Sequence, residues 1–105
     1  MSALQEILRR GEFAVTAEVG PPKGVNREVI EKKCDGLRGF VDAVNITDNQ
    51  TAIVRLSSFA SCLIAKDCEL EPVMQMVCRD RNRIALQSDF LGACAWGVEN
   101  FLCLS

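Results

Sequence analysis

The sequence predicts an α/β fold in which short parallel strands alternate with helices. Three observations carry that prediction. Apolar, strand-like runs begin near Phe13, Val41, Glu71 and Asn100, at intervals of 28, 30 and 29 positions. Each interval also holds a stretch with helical spacing and a glycine or polar stop, giving the order β-α-β-α-β-α-β after a leading helix. The strand runs are mostly apolar, as in parallel sheets covered by helices. A repeat of this length suits a (β/α)8 barrel or a doubly wound sheet. No strand is followed by Gly-x-Gly-x-x-Gly, and no Gly-x-x-x-x-Gly-Lys occurs. Those absences weaken the nucleotide-binding versions of the open sheet.

Each element has a local reason. A short helix over residues 2–10 opens on Ser2, which with Gln5 makes a weak capping box, and stops at Gly11. Strand one, about Phe13 to Val19, ends at Gly20-Pro21-Pro22, because proline cannot donate to a ladder. Asn26 is placed to cap a helix from Arg27 to about Leu37, with Ile30, Cys34 and Leu37 on its buried side and Gly39 closing it. Strand two runs from about Val41 to Thr47 and gives way to the polar loop Asp48-Asn49-Gln50-Thr51. The next helix spans about Arg55 to Lys66, with Leu56, Phe59 and Leu63 on one side. Strand three covers about Glu71 to Cys78. Asn82 caps a last helix from Arg83 to about Trp96, on which Ile84, Leu91 and Ala95 share a face, and Gly97 ends it. Strand four starts near Asn100.

Strand alternation then sorts the side chains. Thr16 and Glu18 oppose Val15, Ala17 and Val19; Asn45 and Thr47 oppose Val44 and Ile46; Gln75 opposes Met74 and Met76; Ser105 shares a face with Cys103, opposite Leu102 and Leu104. In a barrel, Glu18, Asn45, Thr47, Gln75 and Ser105 would form an arc at the C-terminal mouth, where barrel enzymes keep their active sites. A single polar strand residue is usually a satisfied core group, and a strand-end carboxylate is explained equally well by access to water. The same pattern on four strands favours a polar site. One carboxylate, two amides and two hydroxyls suit the binding of a polar heterocycle and the delivery of one proton from Glu18. That division of labour fits a cofactor that carries the hard chemistry. A glutamate against an apolar barrel wall is expected to have a raised pKa, as a general acid near neutral pH requires.

Composition excludes other classes. The net charge is −2, and the densest basic cluster, Arg79-Asp80-Arg81-Asn82-Arg83, is broken by an acid and lacks aromatic residues, so no nucleic-acid surface is expected. No apolar run approaches a membrane span of about 20 residues, and no signal peptide opens the chain, so the expected location is the cytoplasm. The six cysteines form no Cys-x-x-Cys, and the chain has no histidine. Reduced thiols packed as small hydrophobes are expected, without metal or disulfides.

The segment Phe13-Ala14-Val15-Thr16-Ala17-Glu18-Val19-Gly20-Pro21-Pro22-Lys23-Gly24 resembles the opening strand of the methylenetetrahydrofolate reductase family. So do Ala43-Val44-Asn45-Ile46-Thr47-Asp48-Asn49-Gln50 and the run from Glu71 through Cys78-Arg79-Asp80-Arg81-Asn82-Arg83 to Ala93. The similarity covers essentially the whole chain in order and spacing, and is closest to bacterial and archaeal branches. The resemblance implies a (β/α)8 TIM barrel with FAD at its C-terminal mouth, reducing 5,10-methylenetetrahydrofolate to 5-methyltetrahydrofolate. It implies that Glu18 is the acid that protonates the folate as its five-membered ring opens. It places Thr47 by the flavin, Asp48 and Gln50 where the following loop touches FAD, and Gln75 where many members carry a histidine. Ser105 falls where others have arginine or threonine before a Gly-Asp pair.

That Gly-Asp, with its flavin-side aspartate, would follow Ser105, and strands five to eight are not encoded. Residues 1–105 are therefore expected to be the N-terminal half-barrel, about four β/α units, of a longer reductase. A whole barrel takes about 250 residues. By themselves they are expected to be neither a stable monomer nor active. An inactive half-barrel or assembly module without flavin, and another folate-handling barrel such as a methyltransferase partner, are the competing readings. The electron donor is expected to be NAD(P)H or a partner protein, and the assembly a homo-oligomer or a complex with an electron-delivering subunit.

Overall fold

The computed structural model describes residues 1–105. Its elements are α1 (Ala3–Arg9), β1 (Thr16–Val19), α2 (Glu28–Leu37), β2 (Ala43–Ile46), α3 (Ser58–Asp67), β3 (Pro72–Val77), α4 (Arg83–Ala95) and β4 (Asn100–Leu104). The strands form one parallel sheet in the order β1-β2-β3-β4. A doubly wound sheet reverses its strand order at a switch point and carries helices on both faces. Here the order never reverses, and the buried core lies on one face. Val19, Val44, Ile46, Met74 and Met76 from the strands meet Ile30 and Cys34 of α2, Cys62, Ile64 and Ala65 of α3, and Ala93 of α4. Sequential strands with helices on a single side fit part of a (β/α)8 wall.

The caps follow the sequence closely. Ser2 Oγ accepts from Gln5 N at 3.0 Å, and Asn82 Oδ1 from Ala85 N at 2.8 Å. Asn26 Oδ1 accepts from Glu28 N at 3.0 Å, at the start of α2. The third helix begins later than expected, because Ser57, rather than a residue near Arg55, supplies the cap to Ala60 N at 3.1 Å. Strand one is also shorter than its apolar run. Before Thr16, the Val15 amide donates to the Asp42 carboxylate at 2.8 Å, so a side chain stands in for the ladder.

The α4 face that holds Ile84, Leu91 and Ala95 is exposed, Ile84 by 75% and Leu91 by 68%. The sheet-facing side instead uses Ala93 and the partly buried Leu86, with Phe90 stacked on Phe101 at a centroid distance of 4.4 Å. Ile84, Leu91 and Ala95 do share a face, as their spacing requires, and it is the face turned away from the sheet. The cysteines divide rather than sharing the core. All six are free; Cys34 and Cys62 are buried, Cys68 is half-buried, and Cys78, Cys94 and Cys103 are exposed.

That division is testable. Burial, with the neighbouring Cys68, pushes the Cys34 thiol up to about 11, and burial pushes Cys62 up to about 12. A thiol reagent at neutral pH is expected to modify Cys78, Cys94 and Cys103 rapidly, and Cys34 and Cys62 only on unfolding. Because the folded-state pKa values lie above the unfolded one, the unfolded chain releases these protons first as pH rises above about 9. Stability is therefore expected to fall between pH 9 and 12. Fast native modification of Cys62, read by mass spectrometry, would contradict the packing described here.

Candidate active site

Parallel strands all end at the same side of the sheet, so the segments after β1, β2, β3 and β4 share one mouth. The β1 segment is pinned there by neighbours. Lys33 Nζ donates to the Gly20 carbonyl at 2.9 Å, and Leu56 N to the Pro22 carbonyl at 2.8 Å. Gly20 brings the chain close to Thr47, since a Cβ at Gly20 would lie 3.8 Å from Thr47 Oγ1.

Past Ile46, side chains take the groups of β3 that the β2–β3 ladder would otherwise use. The hydroxyl of buried Ser58, the first residue of α3, donates to the Gln75 carbonyl at 2.9 Å. The Asp48 carboxylate accepts from the Val77 amide at 2.8 Å. Asp48 is 2% exposed, and Arg81 grips both of its oxygens, Nη1 on Oδ2 and Nη2 on Oδ1, the latter at 3.1 Å. Arg81 Nη1 also donates to the Val77 carbonyl at 3.0 Å, and Nε reaches Asp89 at 3.5 Å. The carboxylate holds the guanidinium pKa above its usual value, mainly through that hydrogen bond. With these bonds, the Asp48 carboxylate is a fastener at the mouth.

The loop after Asp48 is strained. Asn49, Thr51 and Ala52 have φ of 45°, 59° and 57°. A β-branched residue at positive φ is an outlier, and such residues cost on the order of 1–3 kcal/mol each and gather at ligand clamps. Asn49 helps to hold the turn, its Oδ1 accepting from Arg55 N at 2.8 Å.

Thr47, Asp48, Asn49, Gln50, Thr51, Gln75 and Ser105 together line a depression of about 210 Å³. Five expected site residues, Thr47, Asp48, Gln50, Gln75 and Ser105, thus meet in one place. Ser105 reaches it from the strand end, but its facing is corrected. Gln75 pairs with Leu102 and Met76 with Cys103, so Leu102 and Leu104 share the face of Gln75, whereas Cys103, the strand residue in phase with Ser105, lies on the helix side. Glu18 lies off the depression, level with Asn45 and Val73 along the register and one layer toward the strand starts. It is exposed and belongs to none of the ion pairs. The apolar wall expected around it is not built by these four strands.

Thr47 Oγ1 is buried and has no hydrogen-bond partner. An orphaned hydroxyl next to a strained loop is uncommon, since buried polar groups are nearly always paired. The chain has no group of three or more His, Cys, Asp or Glu side chains placed to hold a metal, and no helix long and apolar enough to cross a membrane.

The methylenetetrahydrofolate reductase family matches this chain over residues 3–105. The chain belongs to that family. Comparison with individual curated proteins gave no match. Membership in the methylenetetrahydrofolate reductase family makes this an oxidoreductase fold of the TIM-barrel type, and the sheet supplies part of that barrel. Within it, sequence reasoning found the mouth but missed Arg81 and Ser58. Arg81 lay in the quoted Cys-Arg-Asp-Arg-Asn-Arg run, but nothing local tells which of its arginines turns inward.

Proposed function

We propose that this mouth binds FAD and reduces 5,10-methylenetetrahydrofolate to 5-methyltetrahydrofolate, residues 1–105 forming the N-terminal half of the barrel that does so. The unpartnered Thr47 hydroxyl carries the reading. It has no partner within the protein, and the Thr47 side chain lines the same depression as Gln75, the loop Asp48–Thr51 and Ser105. A flat heterocycle with alternating N–H and C=O groups along its edge fits such a donor set. When bound and reduced, the flavin supplies the hydride. The chain's own residues do the rest. Thr47 and Gln75 orient the ring edge, Gln50 and Ser105 border it, and Leu102 and Leu104 give the inner wall an apolar side. Glu18 is the acid that would deliver a proton to the folate nitrogen that leaves the bridging carbon as the five-membered ring opens. The electrons would come from NAD(P)H or a partner protein.

Thr47→Val tests the assignment, because valine keeps the shape and deletes the hydroxyl. Leaving a buried hydroxyl unpaired costs about 1–3 kcal/mol. The variant is therefore expected to melt at the same or a higher temperature, yet to bind FAD about tenfold more weakly, the loss of roughly one good hydrogen bond. Titration by flavin fluorescence and thermal unfolding would read both. Unchanged FAD affinity, or an intact enzyme without affinity for FAD, would sink the proposal.

A further inference from the structure

Arg81 and Asp48 join two loops that local sequence does not connect, since the residues are 33 positions apart. The pair is largely removed from water, Asp48 fully and Arg81 with 13% of its side chain exposed. Exposed pairs such as Arg79–Asp80 contribute little and set no geometry. A buried bidentate pair fixes both partners in distance and angle. Here it fixes what lies on either side. Asp48 immediately follows Thr47 and immediately precedes the positive-φ turn at Asn49, Thr51 and Ala52. The same carboxylate takes the Val77 amide, which would otherwise continue the β2–β3 ladder, and Ser58 takes the Gln75 carbonyl, so the backbone pairing of β2 with β3 stops at Ile46 and Met74. On the other side, Asn82, next to Arg81, caps α4.

We propose that Arg81 is a positioning residue for the cofactor: through Asp48 it holds the strained Asn49–Ala52 turn and the Thr47 hydroxyl in the arrangement that receives the flavin edge. The inference rests on the FAD reading above, and it assigns to the Cys-Arg-Asp-Arg-Asn-Arg run a task at the mouth rather than on the surface. Such a latch must be bidentate. A lysine presents a compact charge and cannot span both Asp48 oxygens and the Val77 carbonyl together.

The test uses the intact flavoprotein and its flavin-free form, with FAD as probe. Arg81→Met alone strands a buried carboxylate and is expected to lower the melting temperature sharply. The double variant Asp48→Asn/Arg81→Met removes the stranded charge. It is expected to regain most of the lost melting temperature while still binding FAD at least tenfold more weakly. In its flavin-free form, the Asn49–Ala52 and Val77 amides are expected to exchange hydrogen at least tenfold faster than in the unaltered protein. Arg81→Lys is expected to fold and to show the same faster exchange. Recovery of full FAD affinity together with the melting temperature would make the pair merely structural and overturn the proposal, as would unchanged exchange in the turn. An unaltered protein that ignores FAD would instead overturn the flavin reading, leaving the latch to be judged by exchange alone.

Discussion

Replacing Glu18 with glutamine is expected to slow methylenetetrahydrofolate reduction by about 10²–10⁴-fold, the usual contribution of a general acid. That corresponds to roughly 3–5 kcal/mol of transition-state stabilisation. Glutamine keeps the size and hydrogen-bonding reach of the side chain but cannot release a proton. Only the folate half-reaction breaks a carbon–nitrogen bond whose nitrogen must be protonated, so reduction of the flavin by its electron donor is expected to proceed at the unaltered rate. Glu18 stands apart from the depression lined by Thr47 and Gln75, one layer along the wall. FAD affinity should therefore change little. Stopped-flow absorbance can follow the two half-reactions separately. If flavin reduction collapsed while folate reduction persisted, Glu18 would be serving the wrong half of the cycle.

A large effect on stability is expected at Ile46. It is fully buried in β2, an inner strand paired on both sides, and packs into the face that meets the helices. Ile46→Ala removes that side chain and leaves a cavity, at a cost of about 2–5 kcal/mol. An ordinary domain has only about 5–15 kcal/mol in total. Ile84→Ala makes the same chemical change on the exposed face of α4 and is expected to stay within about 0.5 kcal/mol. Denaturant unfolding of the pair would measure the contrast. Equal losses would mean that α4 turns its Ile84 face to the core after all.

These contrasts mark where the sequence could be read. Caps and stops are local, so Ser2, Asn82, Gly11 and Gly97 announced their roles from neighbours a few positions away. Alternation within a strand is local as well, and it separated Glu18 from Val19 and Gln75 from Met76 correctly. The phase between strands is not local. Pairing Gln75 with Leu102 turned β4 over relative to the expected arc, and no count along β4 by itself could have fixed it. The α4 stripe shows a related limit. Spacing groups residues on a face, but it does not say whether a neighbour exists to cover that face. The Asp48–Arg81 latch depends on both loops at once, and hence on the fold being known first.

The docking of α1 has a consequence for the order in which the molecule is made. The amides of Ala3 and Leu4 rest on the Glu71 carboxylate, and Ser2 Oγ donates to Asn100, 98 positions away in sequence. A helix of seven residues does not hold its shape alone in water. At a synthesis rate of about 5–20 residues per second, α1 waits about 5–20 s for Asn100 to be added. Through that interval it lacks its full set of contacts, while β1, β2 and their helices can already assemble behind it. The helix thus settles later than the elements that directly follow it in sequence, once β3 and the start of β4 are in place.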